Sequence, residues 1–362
     1  MHKYTELCAL FEKVESLQSR TEMSLEVAKF LKKCSSEEVE IISYMILGRV
    51  APMFVKSEFN YSERSLINLL TKYTSLDINS LRKESGDIGD TVHTVFKKIG
   101  NKGKSLDIFQ IYEIFWDIIN TSGTGSILKK NNIILGCIKN LDPLESKYFV
   151  RTICGDLRLG LNAKTLLEVF SFTVVGDKSL KEILQHSYGV SADIGFIGSR
   201  VVKSQGLNLD DIQALPGIPI LSRLVQRVGS FDEIESRFSR KVYVQPKFDG
   251  LRCQIHKWNE QELESLGVDQ RMWSKYVDEQ KVGTNSLFGT DTKSTTKVKL
   301  FTRNLEDVTE MFPEIVEYAR DLSPSSFIMD SEIVGWDYKN NRFLSYQETM
   351  QRRRKYSIES KR

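Results

Sequence analysis

From the start of the chain to about position 215, apolar side chains recur at intervals of three and four. "YTELCALFEKVESL" at 4–17 is typical, and that spacing lays one buried stripe along a helix. Start signals punctuate the pattern. Ser35-Ser36-Glu37-Glu38 reads as a capping box ahead of "VEIISYMILGRV". Asp142-Pro143-Leu144-Glu145 reads as a cap, a proline at the first helical position and an acid in the first turn. Asp210 and Asp211 are expected to precede a short helix. Strand signals are nearly absent here, so residues 1–215 are expected to be all-α, with about a dozen helices.

The texture changes at "LPGIPILSRL", 215–224, where two prolines and a glycine predict a linker. Ser230 and Glu233 cap one more helix. Strand-like runs follow at 241–248, 251–258, 297–304 and 326–336, interrupted by one helix at roughly 309–320. The expected second domain, residues 216–362, is α+β on an antiparallel sheet. Residues 257–296 read as an insertion, helical in its first half, then the loop "GTNSLFGTDTKSTT". No internal repeat is visible.

Composition narrows the class only a little. The 362 residues suffice for roughly two or three domains with real cores. Lys and Arg number 51 against 48 Asp and Glu, so a net charge of +3 does not reveal a partner. A nucleic-acid binder with this balance must sort its charges onto faces. Five scattered cysteines form no C-x-x-C pair, which argues against a disulfide framework or a zinc site and fits a reducing cytoplasm. No stretch is long and apolar enough for a bilayer, and the N-terminus reads as an amphipathic helix rather than a signal peptide.

The chemistry concentrates at "QPKFDGLRCQIHKW", 245–258. Lys247 alone reads as an edge-strand lysine snorkelling to water. Its companions change that reading. A lysine desolvated among cations loses its proton and becomes a nucleophile. Gly250 allows a sharp turn, Arg252 returns on the next strand, and "TRN" at 302–304 and "DSE" at 330–332 mark later strands. A nucleophile, two arginines and a carboxylate suit attack on phosphorus.

"KFDGLR" resembles the K-x-D-G-x-R signature of the covalent nucleotidyltransferases: ATP-dependent DNA ligases, RNA ligases and capping enzymes. "ILGRVAPMFVKSEFN" (46–60), "SGDIGDTV" (85–92) and "CGDLRLGLNAKTLLEVF" (154–170) are similar to the helical DNA-binding domain of archaeal-type DNA ligases, also found in bacteria. "PGIPILSRLVQRV", "LFTRNLEDVTEMFPEI", "IMDSEIVGWD" and "FLSYQETMQRRRKYSI" follow in family order.

The resemblance implies an ATP-grasp-like ligase domain after the helical one. It makes Lys247 the lysine that forms AMP-lysine, with Arg252 and Arg303 on the nucleotide. Glu332 would hold the ribose or orient metal, and Gln245 stands beside the adenine where the family usually has glutamate. It implies ATP, Mg2+ or Mn2+, and nicked double-stranded DNA in replication, repair and recombination. A sliding clamp or repair factor is the class of recruiting partner. A cytoplasmic monomer without membrane contact is expected. On the same resemblance, Arg158, Gly160, Asn162, Lys164 and Thr165 meet a DNA phosphate at a helix start, and Arg352 and Arg353 lie along the nick's backbone.

Two further loops, 85–92 and "IGNKGKS" at 99–105, read equally as turns or as phosphate-facing loops. His93, His186 and His256 are isolated, and nothing suggests ligands. The 257–296 insertion, with Trp258 and Trp273, reads as a solvated excursion. The family pattern continues beyond Arg362 with a glutamate-glycine motif, a lysine-bearing motif and an OB-fold. The expectation is that 1–362 alone seals no nicks and is poorly stable in its C-terminal part. The rival readings are a non-catalytic nick-binding module, or an RNA ligase or capping-type enzyme.

Overall fold

The computed structural model describes residues 1–223, 225–238, 241–244, 246–259, 271–277 and 296–351. They form two compact units. One comprises Met1–Tyr188, Ala192–Gln213 and Asp269–Thr290, the other Gly189–Ser191, Ala214–Val268 and Asp291–Arg362.

The first unit is helical. Its described helices begin with α1 (Tyr4–Ser16), α2 (Arg20–Leu31), α3 (Ser36–Ile46), α4 (Glu63–Tyr73), α5 (Ile78–Ser85) and α6 (Ile88–Ile99). They continue with α7 (Ile108–Asn120), α8 (Ser126–Ile138), α9 (Pro143–Cys154), α10 (Ala163–Val174), α11 (Lys181–Val190) and α12 (Ile194–Ser204). The caps explain the boundaries. Ser35 and Glu38 close a reciprocal box on α3, and Asp142 and Glu145 do the same on α9 behind Pro143. The expected helix after Asp211 is a turn instead, closed by Ile212 N–H on Leu209 O. Pro216 biases the residue before it away from helical geometry, so no helix has room to grow.

Apolar stripes from these helices share one core, with Phe11, Tyr112, Phe115, Trp116, Phe149 and Phe170 fully buried. Within it lies an ionic cluster. Arg151, 1% exposed, donates to Asp87, Glu15 and Asp90 at 3.0, 2.8 and 3.2 Å. Asp87 also caps α6 through Asp90 N–H. The acids of "SGDIGDTV" are thus occupied by the fold. "IGNKGKS" is likewise a turn: Gly100 ends α6 in a left-handed conformation, and the Asn101 amide bonds Ile138 O and Leu141 O.

Part of the 257–296 insertion also belongs to the helical unit. Residues 271–277, containing a short 3-10 turn at Met272–Lys275, are seated on it rather than solvated. Tyr276 stacks on Trp116 (5.7 Å, 6°) and meets Tyr112 edge-on at 5.5 Å. The Trp273 ring meets Phe54, and its Nε1–H donates to Asp193 at 3.0 Å. Met272 N–H donates to Glu40, and Asn120 donates to Tyr276 O. Burial beside Asp193 pushes the Glu40 carboxyl up to about 7. The aromatic content of this segment makes it a docked peptide. Its loop "GTNSLFGTDTKSTT" lies outside the described residues, apart from Thr296.

The second unit holds α13 (Phe231–Arg237), β1 (Leu251–Asn259), β2 (Thr296–Thr302), α14 (Pro313–Asp321), β3 (Phe327–Ile333), β4 (Trp336–Asp337), β5 (Arg342–Phe343) and α15 (Tyr346–Met350). Strand β1 is central in the order β2-β1-β3 and antiparallel to both neighbours. β4 and β5 form a small ribbon. The expected 309–320 helix is broken, because Pro313 starts α14 afresh after a 3-10 turn at Thr309–Met311.

The two faces of β1 differ. Leu251, Cys253 and Ile255 pack with Val308, Phe312, Val316 and Ala319. Lys257, 4% exposed, donates on that side to Arg320 O and Leu322 O at 2.8 and 2.6 Å, capping the end of α14. On the other face Gln254 exchanges two hydrogen bonds with the Ile220 backbone, and His256 Nδ1 accepts Gly217 N–H. The proline-glycine stretch is therefore strapped to the sheet.

Candidate functional site

The expected strand at 241–248 does not form in its described residues, which are exposed, with Tyr243 and Val244 fully so. Both edges of β1 are already paired, and Pro246 supplies no ladder donor. Lys247 is therefore exposed rather than buried, and makes no hydrogen bond or ion pair among the described residues. The buried lysine of this region is Lys257. Next to Lys247, Phe248 meets Phe343 of β5 edge-on at 6.4 Å.

Downstream the sheet register collects the charged groups. Arg252 on β1 lies opposite Glu332 on β3. On the other side Cys253 pairs with Thr302, the last residue of β2, and Arg303 follows, exposed, in the turn closed by Leu305 N–H on Thr302 O. Opposite residues of an antiparallel pair share a face. Arg252 and Glu332 thus share a face of the sheet, and Arg303 stands just past the end of the neighbouring strand. Asp330, two residues before Glu332, takes a bidentate grip on Arg252 at 3.0 and 2.7 Å. That pairing raises the arginine's already high pKa. Glu332 Oε1 accepts Gly250 N–H at 3.1 Å, tying the turn after Asp249 to β3. Only glycine fits there, because a Cβ at 250 would stand 2.5 Å from Ile333 O. Asp330 was not singled out from sequence, although "DSE" places two acids on one face of a strand. Gln245, Arg352 and Arg353 lie outside the described residues.

In the helical unit, the stretches 46–60 and 154–170 meet. Gly48 abuts Leu157, and a cleft of about 170 Å³ runs between 46–48 and the 155–161 loop. Gly48, Gly155, Arg158 and Gly160 all take left-handed φ, so the cleft is walled largely by backbone. Arg158 is exposed and paired with Asp156 at 2.6 Å. Asn162 caps α10 by accepting Thr165 N–H, and Thr165, buried, turns its hydroxyl to the same oxygen. Lys164 is exposed in the first turn. A neighbouring cavity of about 280 Å³ is lined by Arg49, Asn162 and Tyr188, and burial holds the Arg49 pKa below its usual value. Arg49 escaped the sequence reading although it lies inside "ILGRV".

Residues 3–171 match the family model described as DNA ligase N terminus, and residues 290–362 the one described as ATP dependent DNA ligase domain. The helical unit and the sheet unit each carry a part of one class of protein, the DNA ligases. Over 357 residues the chain is 32% identical to a probable DNA ligase of Dictyoglomus turgidum, covering 98% of this chain and 55% of that one. It is 31% identical over 368 residues to DNA ligase 1 of Methanosarcina mazei (99% and 57%) and 28% over 363 to a DNA ligase of Saccharolobus shibatae (96% and 54%). The chain belongs to the ATP-dependent DNA ligase family. It spans about half the length of the curated relatives it matches.

Proposed function

We propose that the chain supplies the DNA-binding and adenylating parts of an ATP-dependent ligase that closes nicks in duplex DNA, in replication, repair and recombination. The domain division proposed is a helical DNA-binding domain to about residue 215 and a nucleotidyltransferase domain from 216, with 257–296 inserted. What carries the reading is the Arg252–Glu332 pair, tied through Gly250 to the loop that bears Lys247, with Arg303 in the turn after β2. In this reading Lys247 Nζ, once deprotonated, attacks the α-phosphorus of ATP in line, and pyrophosphate leaves. AMP then passes to the 5′-phosphate at the nick. The 3′-hydroxyl attacks that phosphate and AMP departs.

Arg252 and Arg303 offer cations to the phosphates. Asp330 holds Arg252 so that its planar group is oriented before the nucleotide arrives. Glu332 fixes the Gly250 turn with one oxygen and leaves the other for a ribose hydroxyl or a metal. Asp330 and Glu332 are exposed hard-oxygen donors of the kind Mg2+ or Mn2+ prefers, and a bound ion would supply charge neutralisation on the phosphates. The cleft between 46–48 and 155–161, with Lys164, Arg158 and the start of α10, suits a DNA phosphate.

The test is self-adenylation of the 362-residue chain with α-labelled ATP and Mg2+. Label that survives denaturation and disappears in Lys247→Ala is expected. A chain that binds nicked duplex yet never takes up label would leave the non-catalytic reading standing.

A further inference from the structure

Three segments distant in sequence converge beside the first helix. His2 precedes α1, Cys34 follows α2, and Glu38 sits in the first turn of α3. One donor atom from each lies within 4.8 Å of the other two. His2 Nδ1 stands 3.1 and 3.2 Å from the two oxygens of Glu38. Zinc binds N, O and S donors at roughly 2.0–2.3 Å, which in a tetrahedron puts the donors about 3.3–3.5 Å apart. The trio is therefore within about an ångström of a chelating arrangement.

The surroundings favour ligation. Cys34 and Glu38 are 8% and 4% exposed, while the His2 side chain, at 19%, keeps a path to solvent. Glu38 is fixed before any ion arrives, by the backbone N–H groups of His2 and Ser35 at 2.6 and 2.9 Å. The His2 ring is steadied by Phe30 at 5.3 Å. The Cys34 thiol has one weak acceptor, Phe30 O at 3.4 Å. An ion pair would need His2 and Glu38 alone. The adjacent thiol turns the pair into a mixed N, O, S set, which suits a borderline-soft divalent ion and not Mg2+. The sequence spacing conceals it, since 2, 34 and 38 follow no familiar ligand pattern.

We propose that His2, Cys34 and Glu38 form a structural site for a zinc-class divalent ion, which staples the starts of α1 and α3 to the end of α2. On binding, the Sγ–H bond breaks, an Sγ–metal bond forms and the proton passes to the buffer. Water completes the fourth position. The three ligands belong to the helical unit and join its own helices, so the ion would act on the stability of that unit.

The experiment titrates Co2+ into the tag-free, reduced, metal-stripped 362-residue chain. One equivalent should produce a thiolate-to-cobalt charge-transfer band and the visible bands of four-coordinate cobalt, both removed by competing Zn2+. Cys34→Ser should abolish the charge-transfer band, and His2→Gln should weaken binding about ten- to a hundred-fold, with helicity unchanged in each by circular dichroism. Saturating Zn2+ should raise the melting temperature of the parent by a few degrees and leave Cys34→Ser unmoved. No charge-transfer band in the parent, or a band that persists in Cys34→Ser, would overturn the assignment.

Discussion

His256 shows how one residue makes the sheet answer to pH. It is fully buried, accepts Gly217 N–H through Nδ1, and burial lowers its pKa to about 4. In the unfolded chain the imidazole takes a proton near pH 6.5, while in the fold it stays neutral until about pH 4. The unfolded state therefore binds more protons within that window. Stability is full above it and falls as pH drops through it, by about 2 kcal/mol near pH 5. Denaturant melts of the parent and of His256→Gln between about pH 7 and 5 should diverge, the variant losing most of that slope. Sequence alone showed an isolated strand histidine and could not show its partner, which sits 39 residues away. The same limit explains the lysines. A buried lysine was expected at 247, yet in this region it is Lys257 that meets carbonyls, those of Arg320 and Leu322, brought to it by the fold.

Among the elements, legibility followed the range of the forces involved. Helices with one apolar stripe and their own cap, such as α3 and α9, stood out in the sequence because both signals are local. The 241–248 run has strand composition but no strand in its described residues, where Pro246 supplies no ladder donor and β1, the next strand along the chain, is already paired on both sides. The loops 85–92 and 99–105 stayed ambiguous for a related reason. Asp87 and Asp90 are consumed by Arg151, more than 60 residues away. Arg151→Ala would leave buried Asp87 with only the longer contact to exposed Arg158 at 3.5 Å, and should cost about 3 kcal/mol, measured as a lower denaturant midpoint. Arg252 and Glu332 could be singled out in the sequence, but that they face each other, and that Asp330 grips Arg252, needed the register.

At the scale of the whole molecule, near-neutral net charge means that any grip on DNA depends on local placement. Lys164→Ala should weaken binding to nicked duplex several-fold for all sequences alike, and should lower the slope of log affinity against log salt by about 1. Fluorescence anisotropy at several salt concentrations reads both. The seated segment 271–277 bears on how the chain can be taken apart. A polypeptide cut after Gln213 would look like a finished helical domain, yet it would lack the tyrosine that roofs Trp116 and the tryptophan indole that bonds Asp193. Such a piece should melt earlier than the same domain within the parent chain, and a synthetic peptide spanning 271–277 should restore the difference in trans. The chemical boundary of this domain is therefore discontinuous, and dissection by sequence order would strand a piece of the helical domain in the C-terminal half.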